Sequence, residues 1–402
     1  MKLGVFEAQS LDQVMAARKG HTTGFDYLRI GLSLAVLFVH CLWISDVAGW
    51  QWLWSSWTGP VERSILPAFF ILSGYLVLGS LFRNSMPQFV ALRVVRLVPA
   101  LAVEIVLTAL GFGLVFTTLS TSDYLRSPEF HAYFLNIIGY IHYTLPGVFG
   151  GQQLNVQLWT IPYELECYVL IVTLALLGLV QRRKLLLSLL IFGAVAGAAL
   201  SYRNGWPTLQ SVVSGRVLVL GFLAGMTIYQ FRDRIPYNKY VFLASCAATY
   251  MLFAIPHMNF LGVIPLAYAT VYFGTLKLPK VPFGDLSYGV YLFHFPIAFT
   301  LYQVSGGALA WWELTPLVIA ITGLFAMGSW TLIEHPTLKR KKQVLAFVDR
   351  AMATLMPRNR KARQAPLSPS NARWVAVMAA PAKAANDAES PALHLVDTAD
   401  IA

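Results

Sequence analysis

The stretch FDYLRIGLSLAVLFVHCLWI, residues 25–44, decides how this chain must fold. Crossing the hydrocarbon core of a bilayer takes about 20 mostly apolar residues in a helix. Arg29 and His40 lie in this stretch about three helical turns apart, so both point to the same side, roughly 16 Å apart along the axis. A charge and an imidazole on one stripe of a membrane helix favour a bundle interior or a water-filled cavity over lipid. Two alternatives stay open: Arg29 reaches to the membrane surface, and His40 is a hydrogen-bonded core histidine.

The composition indicates a multi-pass membrane protein. Of 402 residues, 57% are hydrophobic and 12% are charged, and the mean hydropathy is +0.59, whereas soluble domains carry about 25% charge. Cys41, Cys167 and Cys246 lie in apolar runs, which fits neither a disulfide framework nor a CxxC site. The net charge of +11 comes from basic residues between apolar runs, a pattern typical of membrane topology. It does not favour nucleic acid as a partner.

The apolar runs predict an all-α bundle of about ten transmembrane helices. Residues 1–24 form an N-terminal segment without a removable signal peptide, residues 25–338 the membrane domain, and residues 339–402 a basic, Ala/Pro-rich tail that we expect to be disordered. Alternating basic and non-basic loops put both termini in the cytoplasm of a protein integral to the inner membrane. The predicted spans are 25–46, 62–82, 98–119, 158–179, 184–201, 210–230, 239–256, 259–276, 287–304 and 312–334.

Four tryptophans occupy the first non-basic loop, DVAGWQWLWSSWTG, at positions 50, 52, 54 and 57. An interfacial aromatic belt explains them, and stacking on a sugar ring stays an alternative. In the next apolar run, FFILSGYLVLG, Ser73 interrupts bulky residues. Helix packing through small residues is the simpler interpretation, with a site-lining role as the other.

The string ALRVVRLVPAL puts Arg93 and Arg96 three residues apart on one helical face. Guanidinium groups bind phosphate through two parallel hydrogen bonds, so the pair fits a phosphate-rich ligand. Ordinary anchoring at the cytoplasmic surface explains it as well.

Glu164 and Glu166 in LWTIPYELECYVL point to nearly opposite sides of a helix. A carboxylate in a membrane span needs a partner or a wet cavity. Counting residues from the outer surface puts Glu164 at the depth of His40. We therefore expect Glu164 beside His40, where it would stabilise an imidazolium that accepts a proton from a hydroxyl.

Further polar residues fall in later spans. Ser287, Tyr291 and His294 form one stripe at positions i, i+4 and i+7. Arg216 is a candidate buried charge, and Glu334 and His335 at the end of the last span are expected to be structural. No nucleotide, hydrolase or zinc motif is present, and the spacing of His40, Glu164 and His294 does not argue for a metal.

Together these segments resemble the acyltransferase-3 family of integral membrane acyltransferases. Besides Arg29 with ten residues to His40, the matching pieces occur in family order: FFILSGYL at 69–76, RVVRLVPA at 93–100, LWTIPYELECY at 158–168, LSYGVYLFHFP at 286–296 and LIEHP at 332–336. The fourth piece departs from the common pattern, because Leu165 follows Glu164 where a second acid is frequent and Cys167 replaces an aromatic. Many relatives carry a soluble hydrolase-like domain, which we do not expect here.

The resemblance implies that His40 is catalytic, that Glu164 belongs to the active centre, and that Arg29, Arg93 and Arg96 serve the donor. It implies an O-acyltransferase that moves an acyl group, typically acetyl, from cytoplasmic acyl-CoA to a hydroxyl of a surface saccharide or lipid-linked glycan, with membrane lipids as its surroundings. A transporter or flippase for a glycan or lipid would explain buried charges equally well. Such folds often show related halves, and no internal repeat is visible.

Overall fold

The computed structural model describes residues 9–18, 22–206 and 213–355. Within these ranges the chain is helical, with short 3₁₀ and π segments and only isolated β-bridges. The first eight α-helices are α1 (Leu11–Ala17), α2 (Gly24–Ser45), α3 (Val47–Ser55), α4 (Gly59–Arg83), α5 (Met86–Val106), α6 (Gly113–Phe116), α7 (Thr121–Arg126) and α8 (Pro128–Tyr133). The others are α9 (Ile161–Leu176), α10 (Arg183–Arg203), α11 (Gly215–Phe231), α12 (Lys239–Ala254), α13 (Asn259–Gly274), α14 (Ser287–Val304), α15 (Trp311–Ser329), α16 (His335–Lys339) and α17 (Lys341–Leu355).

The all-α prediction is confirmed for the described residues, and a helix lies at each of the ten predicted span positions. Among those residues, six helices are long and apolar enough to cross a membrane: Gly24–Ser45, Gly59–Arg83, Met86–Phe116, Val156–Leu176, Arg183–Arg203 and Trp311–Lys339. The remaining four, α11 to α14, are 16 to 18 residues long. Ten spans and a cytoplasmic location of both termini therefore stay predictions.

Two boundaries differ from the sequence prediction. The third helical run begins at Met86 rather than near residue 98, so Arg93 and Arg96 lie inside a helix and not before it. Helix α17 covers the first part of the tail that was expected to be disordered, because half-buried Val344, Leu345 and Val348 form an apolar stripe facing the bundle. Residues 356–402 lie outside the described residues.

Helix α2 organises one half of the bundle, since it packs against α4, α13, α14 and α15. In the other half, α4 packs along α11 with backbones in close approach at two glycines. A Cβ on Gly74 would lie 2.0 Å from the carbonyl oxygen of Phe222, and a Cβ on Gly225 would lie 2.0 Å from that of Ile71. The small residues of FFILSGYL therefore do serve helix packing.

A buried polar cluster holds the segment between α8 and α9 against α5. Asn155 donates to Glu104 over 3.0 Å and also hydrogen-bonds Tyr133, while Thr108 donates to Glu104 over 2.8 Å. Gln157 is fully buried and donates to the backbone oxygen of Leu292 over 2.7 Å. The chain has thus already entered the bundle before α9 begins.

Replacing Gly74 by Ala should destabilise the fold. The new Cβ has no space against the α11 backbone, and overpacking of this kind costs about 1–3 kcal/mol. Thermal unfolding in lipid nanodiscs measures the loss. Gly31→Ala is the matched control, because the Cβ there meets nothing within 4 Å. Equal melting temperatures for the two variants would show that the close approach does not constrain the bundle.

Candidate functional site

Two neighbouring cavities contain most of the residues selected from the sequence. The first, of about 170 Å³, is named the arginine cavity, and its polar lining residues are Arg29, Ser73, Arg93, Arg96, Thr160, Glu164, Tyr168, Ser287, Tyr288 and Tyr291. The second, of about 400 Å³, is named the tryptophan cavity, and it is lined by His40, Trp43, Trp50, Trp54, Glu62, Tyr143, Gln153, Trp159 and several apolar residues. Leu66 and Tyr291 line both cavities, so the two spaces lie side by side.

Two arginines of the arginine cavity share one carboxylate. Arg29 lies 2.6 Å from Asp26, one turn earlier on α2, and 3.5 Å from Asp285. Arg96 lies 2.7 Å from Asp285 and 3.5 Å from Glu334. The structural role expected for Glu334 thus takes the form of an ion pair inside the bundle.

Asp285 lies in the connection before α14, between Arg29 and Arg96. Burial alone would raise the pKa of its carboxyl, but Arg29 and Arg96, together with hydrogen bonds from Ser287, lower the pKa well below its usual range. Sequence reasoning missed this residue because an acid in a loop is ordinarily solvated. The sequence indicates Asp285 only through its position two residues before Ser287, which is a predicted site residue.

Arg93 is held differently from Arg96. Its guanidinium donates to Ser80 over 3.3 Å and lies over the ring of Phe89. Its Nε–H is buried and has no hydrogen-bond partner among the described residues. Arg93 therefore lines the arginine cavity and keeps one donor group without a partner among the described residues.

The expected contact between Glu164 and His40 is wrong. Glu164 lines the arginine cavity, accepts a hydrogen bond from Tyr168 over 2.5 Å, and is within electrostatic range of Arg96 and Arg93. The depth count failed because residues 156–160 are already inside the bundle as a 3₁₀ segment. Glu164 consequently lies deeper than its distance from residue 158 suggested.

The partner of His40 is His294. The His40 Nδ1 and the His294 Nε2 are 2.7 Å apart, and the rings are nearly parallel, at 6°. The His294 Nδ1 faces two acceptors, the backbone oxygens of Tyr291 at 2.8 Å and Val290 at 3.1 Å, so it carries the hydrogen and its Nε2 accepts. His40 therefore donates from Nδ1, which leaves its Nε2 lone pair available as a base.

Helix α3 divides the tryptophan-rich segment. Trp50 and Trp54 line the tryptophan cavity, whereas Trp52 and Trp57 are exposed. Trp43 and Phe295 pack against the His40 ring. The segment therefore has a side that lines the cavity and an exposed side, and both interpretations stay predictions.

The other predicted site residues separate into two groups. Ser73, Ser287 and Tyr291 line the arginine cavity as expected, and the Tyr291 hydroxyl bonds Thr160 over 2.6 Å. Arg216 does not belong to the site. It is exposed at the start of α11 and lies over the ring of Trp206, because the helix begins only one residue earlier and leaves it at the rim.

Among the described residues, no group of three or more His, Cys, Asp or Glu side chains could hold a metal ion. His40, Glu164 and His294 do not converge, since Glu164 lies in the other cavity.

The family model for an acyltransferase domain, acyltransferase-3, matches residues 22–334. The chain belongs to the acyltransferase-3 family. This acyltransferase is 26% identical over 361 residues to nodulation protein 10 of Rhizobium leguminosarum bv. viciae, covering 81% of this chain and 96% of that protein. It is 27% identical over 306 residues to an O-acetyl transferase of Shigella phage Sf6, and the match covers 69% of this chain and 86% of that protein. No solved structure matches this acyltransferase significantly.

We expect Glu164→Gln to lower acyl transfer at least about tenfold, since it removes a carboxylate from a cavity that also holds Arg93 and Arg96. Glu166→Gln, on the exposed side of the same helix, should leave the rate unchanged. Transfer rates at saturating donor measure both. A wild-type transfer rate in Glu164→Gln would show that the charge of Glu164 is not needed.

Proposed function

We propose that this acyltransferase is a membrane O-acyltransferase that moves an acyl group, typically acetyl, from acyl-CoA to a hydroxyl of a surface or lipid-linked saccharide. The observation that carries the proposal is the pairing of the two cavities. One presents arginines and the other presents an unprotonated imidazole nitrogen among tryptophans, and Leu66 and Tyr291 belong to both. A donor and an acceptor entering separately would meet near these two residues.

The arginine cavity is the proposed donor site. Arg29, Arg93 and Arg96 offer planar donor groups that suit the phosphates of CoA. The unpartnered Nε–H of Arg93 supplies a hydrogen bond without breaking an existing one. Asp285 acts as the counter-ion of Arg29 and Arg96 until phosphate arrives.

The distribution of basic loops supports the direction of transfer. Since positive loops stay in the cytoplasm, the end of α2 that carries Arg29 would face the cytoplasm in the inner membrane. His40 lies about three turns further along α2. The acyl group would therefore leave on the outer side of the reaction centre, where surface saccharides are found.

The proposed chemistry uses His40 as general base. Its Nε2 takes the proton of the acceptor hydroxyl as the oxygen attacks the thioester carbonyl. The new C–O bond forms, the C–S bond breaks, and the CoA thiolate leaves and recovers the proton from the imidazolium. His294 is a positioning residue, because its Nε2 accepts the Nδ1–H of His40 and holds the reactive tautomer.

Mass spectrometry of surface polysaccharide from cells with and without the gene tests this function. We expect deletion to remove an acetyl or longer acyl mass from the saccharide, and the wild-type gene to restore it. Unchanged acylation after deletion would overturn the proposed acceptor class.

Replacing His40 by Ala should abolish transfer, since general bases contribute about 10²–10⁴-fold. His294→Ala should lower kcat by about 10–100-fold with little change in the KM for acyl-CoA, an effect typical of residues that orient a reactive group. His294→Gln should recover part of the rate, because the amide oxygen still accepts from His40. Steady-state kinetics measure all three, with exposed His131→Ala as the control. A wild-type kcat for His294→Ala would contradict the role of the pair.

A further inference from the structure

Glu62 is a buried carboxylate that the proposed reaction does not use. It lies in the first turn of α4, it lines the tryptophan cavity, and 7% of its surface is exposed. Neither carboxylate oxygen has a hydrogen-bond partner among the described residues. Burying a carboxylate without hydrogen bonds is costly, so the donors it requires must come from whatever fills the cavity.

The adjacent arginine does not satisfy Glu62. The Arg63 Nε donates to the backbone oxygen of Phe253 over 3.1 Å, and its Nη1 donates to that of Trp54 over 2.9 Å. None of the ion pairs found in the described part of the chain includes Glu62. The guanidinium thus binds backbone oxygens of α3 and α12, and Glu62 stays without a hydrogen-bond partner in the wall of the cavity.

A second polar atom in the same wall is also without a partner. The indole Nε1–H of Trp54 is buried and makes no hydrogen bond with any described residue. The cavity therefore offers one unused acceptor group and one unused donor. Hydroxyl groups, which both donate and accept, satisfy this combination.

The remaining wall suits a sugar ring. Trp43, Trp50, Trp54 and Trp159 present large aromatic surfaces, against which the apolar face of a pyranose can pack. The volume of about 400 Å³ lies within the range of small-molecule sites. Hydroxyl groups that donate to Glu62, together with the nearby Arg63, favour its charged form. A ring that bears a carboxylate would then bring a second negative charge beside Glu62 in a low-dielectric space, which is unfavourable.

We propose that Glu62 is a specificity-determining residue of the acceptor site, which accepts hydrogen bonds from ring hydroxyls and selects a saccharide ring without negative charge. The proposal rests on the proposed function, since it assigns the tryptophan cavity to the acceptor. Glu62 takes no part in proton transfer. Its role is to hold an uncharged ring so that one further hydroxyl lies at the His40 Nε2.

The test compares two membrane-partitioning probes that differ only at C6, octyl β-D-glucoside and octyl β-D-glucuronide. Each is titrated against the full-length protein in nanodiscs, with intrinsic tryptophan fluorescence as the binding signal, because four tryptophans line the cavity. The wild type should bind the glucoside at least about tenfold more tightly than the glucuronide. In Glu62→Gln this ratio should fall to about one, since the amide keeps hydrogen-bonding groups but no charge.

Two further variants make the result decisive. Glu313→Gln changes an exposed acid in the first turn of α15 and should keep the wild-type ratio. Glu62→Leu should fold, as judged by its melting temperature, and lose glucoside binding. An unchanged ratio in Glu62→Gln, or no response of the wild type to either probe, would overturn the inference. Failure of the proposed function is recognised separately, since gene deletion would then leave the acyl content of the polysaccharide unchanged.

Discussion

The hydrogen bond from His40 Nδ1 to His294 Nε2 is the interaction on which the rest of the site depends. It joins α2 to α14, two helices whose contributing residues are 254 positions apart in sequence. Two imidazoles can share a hydrogen bond at this distance only if they are not both charged, because like charges in an apolar bundle repel strongly. The backbone oxygens of Val290 and Tyr291 accept a hydrogen bond from the His294 Nδ1, and this fixes the hydrogen positions on both imidazole rings. Main-chain geometry, rather than a neighbouring carboxylate, therefore determines which nitrogen of His40 keeps a free lone pair.

Four of the buried charged groups lie away from this pair. Arg29, Arg96, Asp285 and Glu334 form a connected network beside the arginine cavity, where each charge has an opposite partner. This separation follows from the cost of burying unpaired ions. In the described part of the chain, the carboxylate that lines the tryptophan cavity is Glu62, and its two oxygens have no hydrogen-bond partner there.

Much of the fold could be predicted from the sequence, because apolar runs of the required length mark helices directly. The stripe of Arg29 and His40 and that of Ser287, Tyr291 and His294 followed from helical periodicity, and all five residues lie at the two cavities or in the histidine pair. The pairing across helices could not be predicted. Depth counts assumed that a helix starts at the membrane surface, which the buried 3₁₀ segment before α9 violates. Asp285 could not be selected because its partners, Arg29 and Arg96, come from distant segments. Glu62 could not be selected because the cavity that it lines is enclosed by distant segments.

In the proposed reaction, a donor in the arginine cavity reaches His40 past Tyr291 and Leu66. The most direct measurement is a cryo-EM structure in nanodiscs with a non-reactive thioether analogue of acetyl-CoA. We expect phosphate density against Arg29, Arg93 and Arg96, with the thioether end at the boundary of the two cavities beside His40. Density for the CoA moiety outside the arginine cavity, or an acyl end directed away from His40, would contradict it.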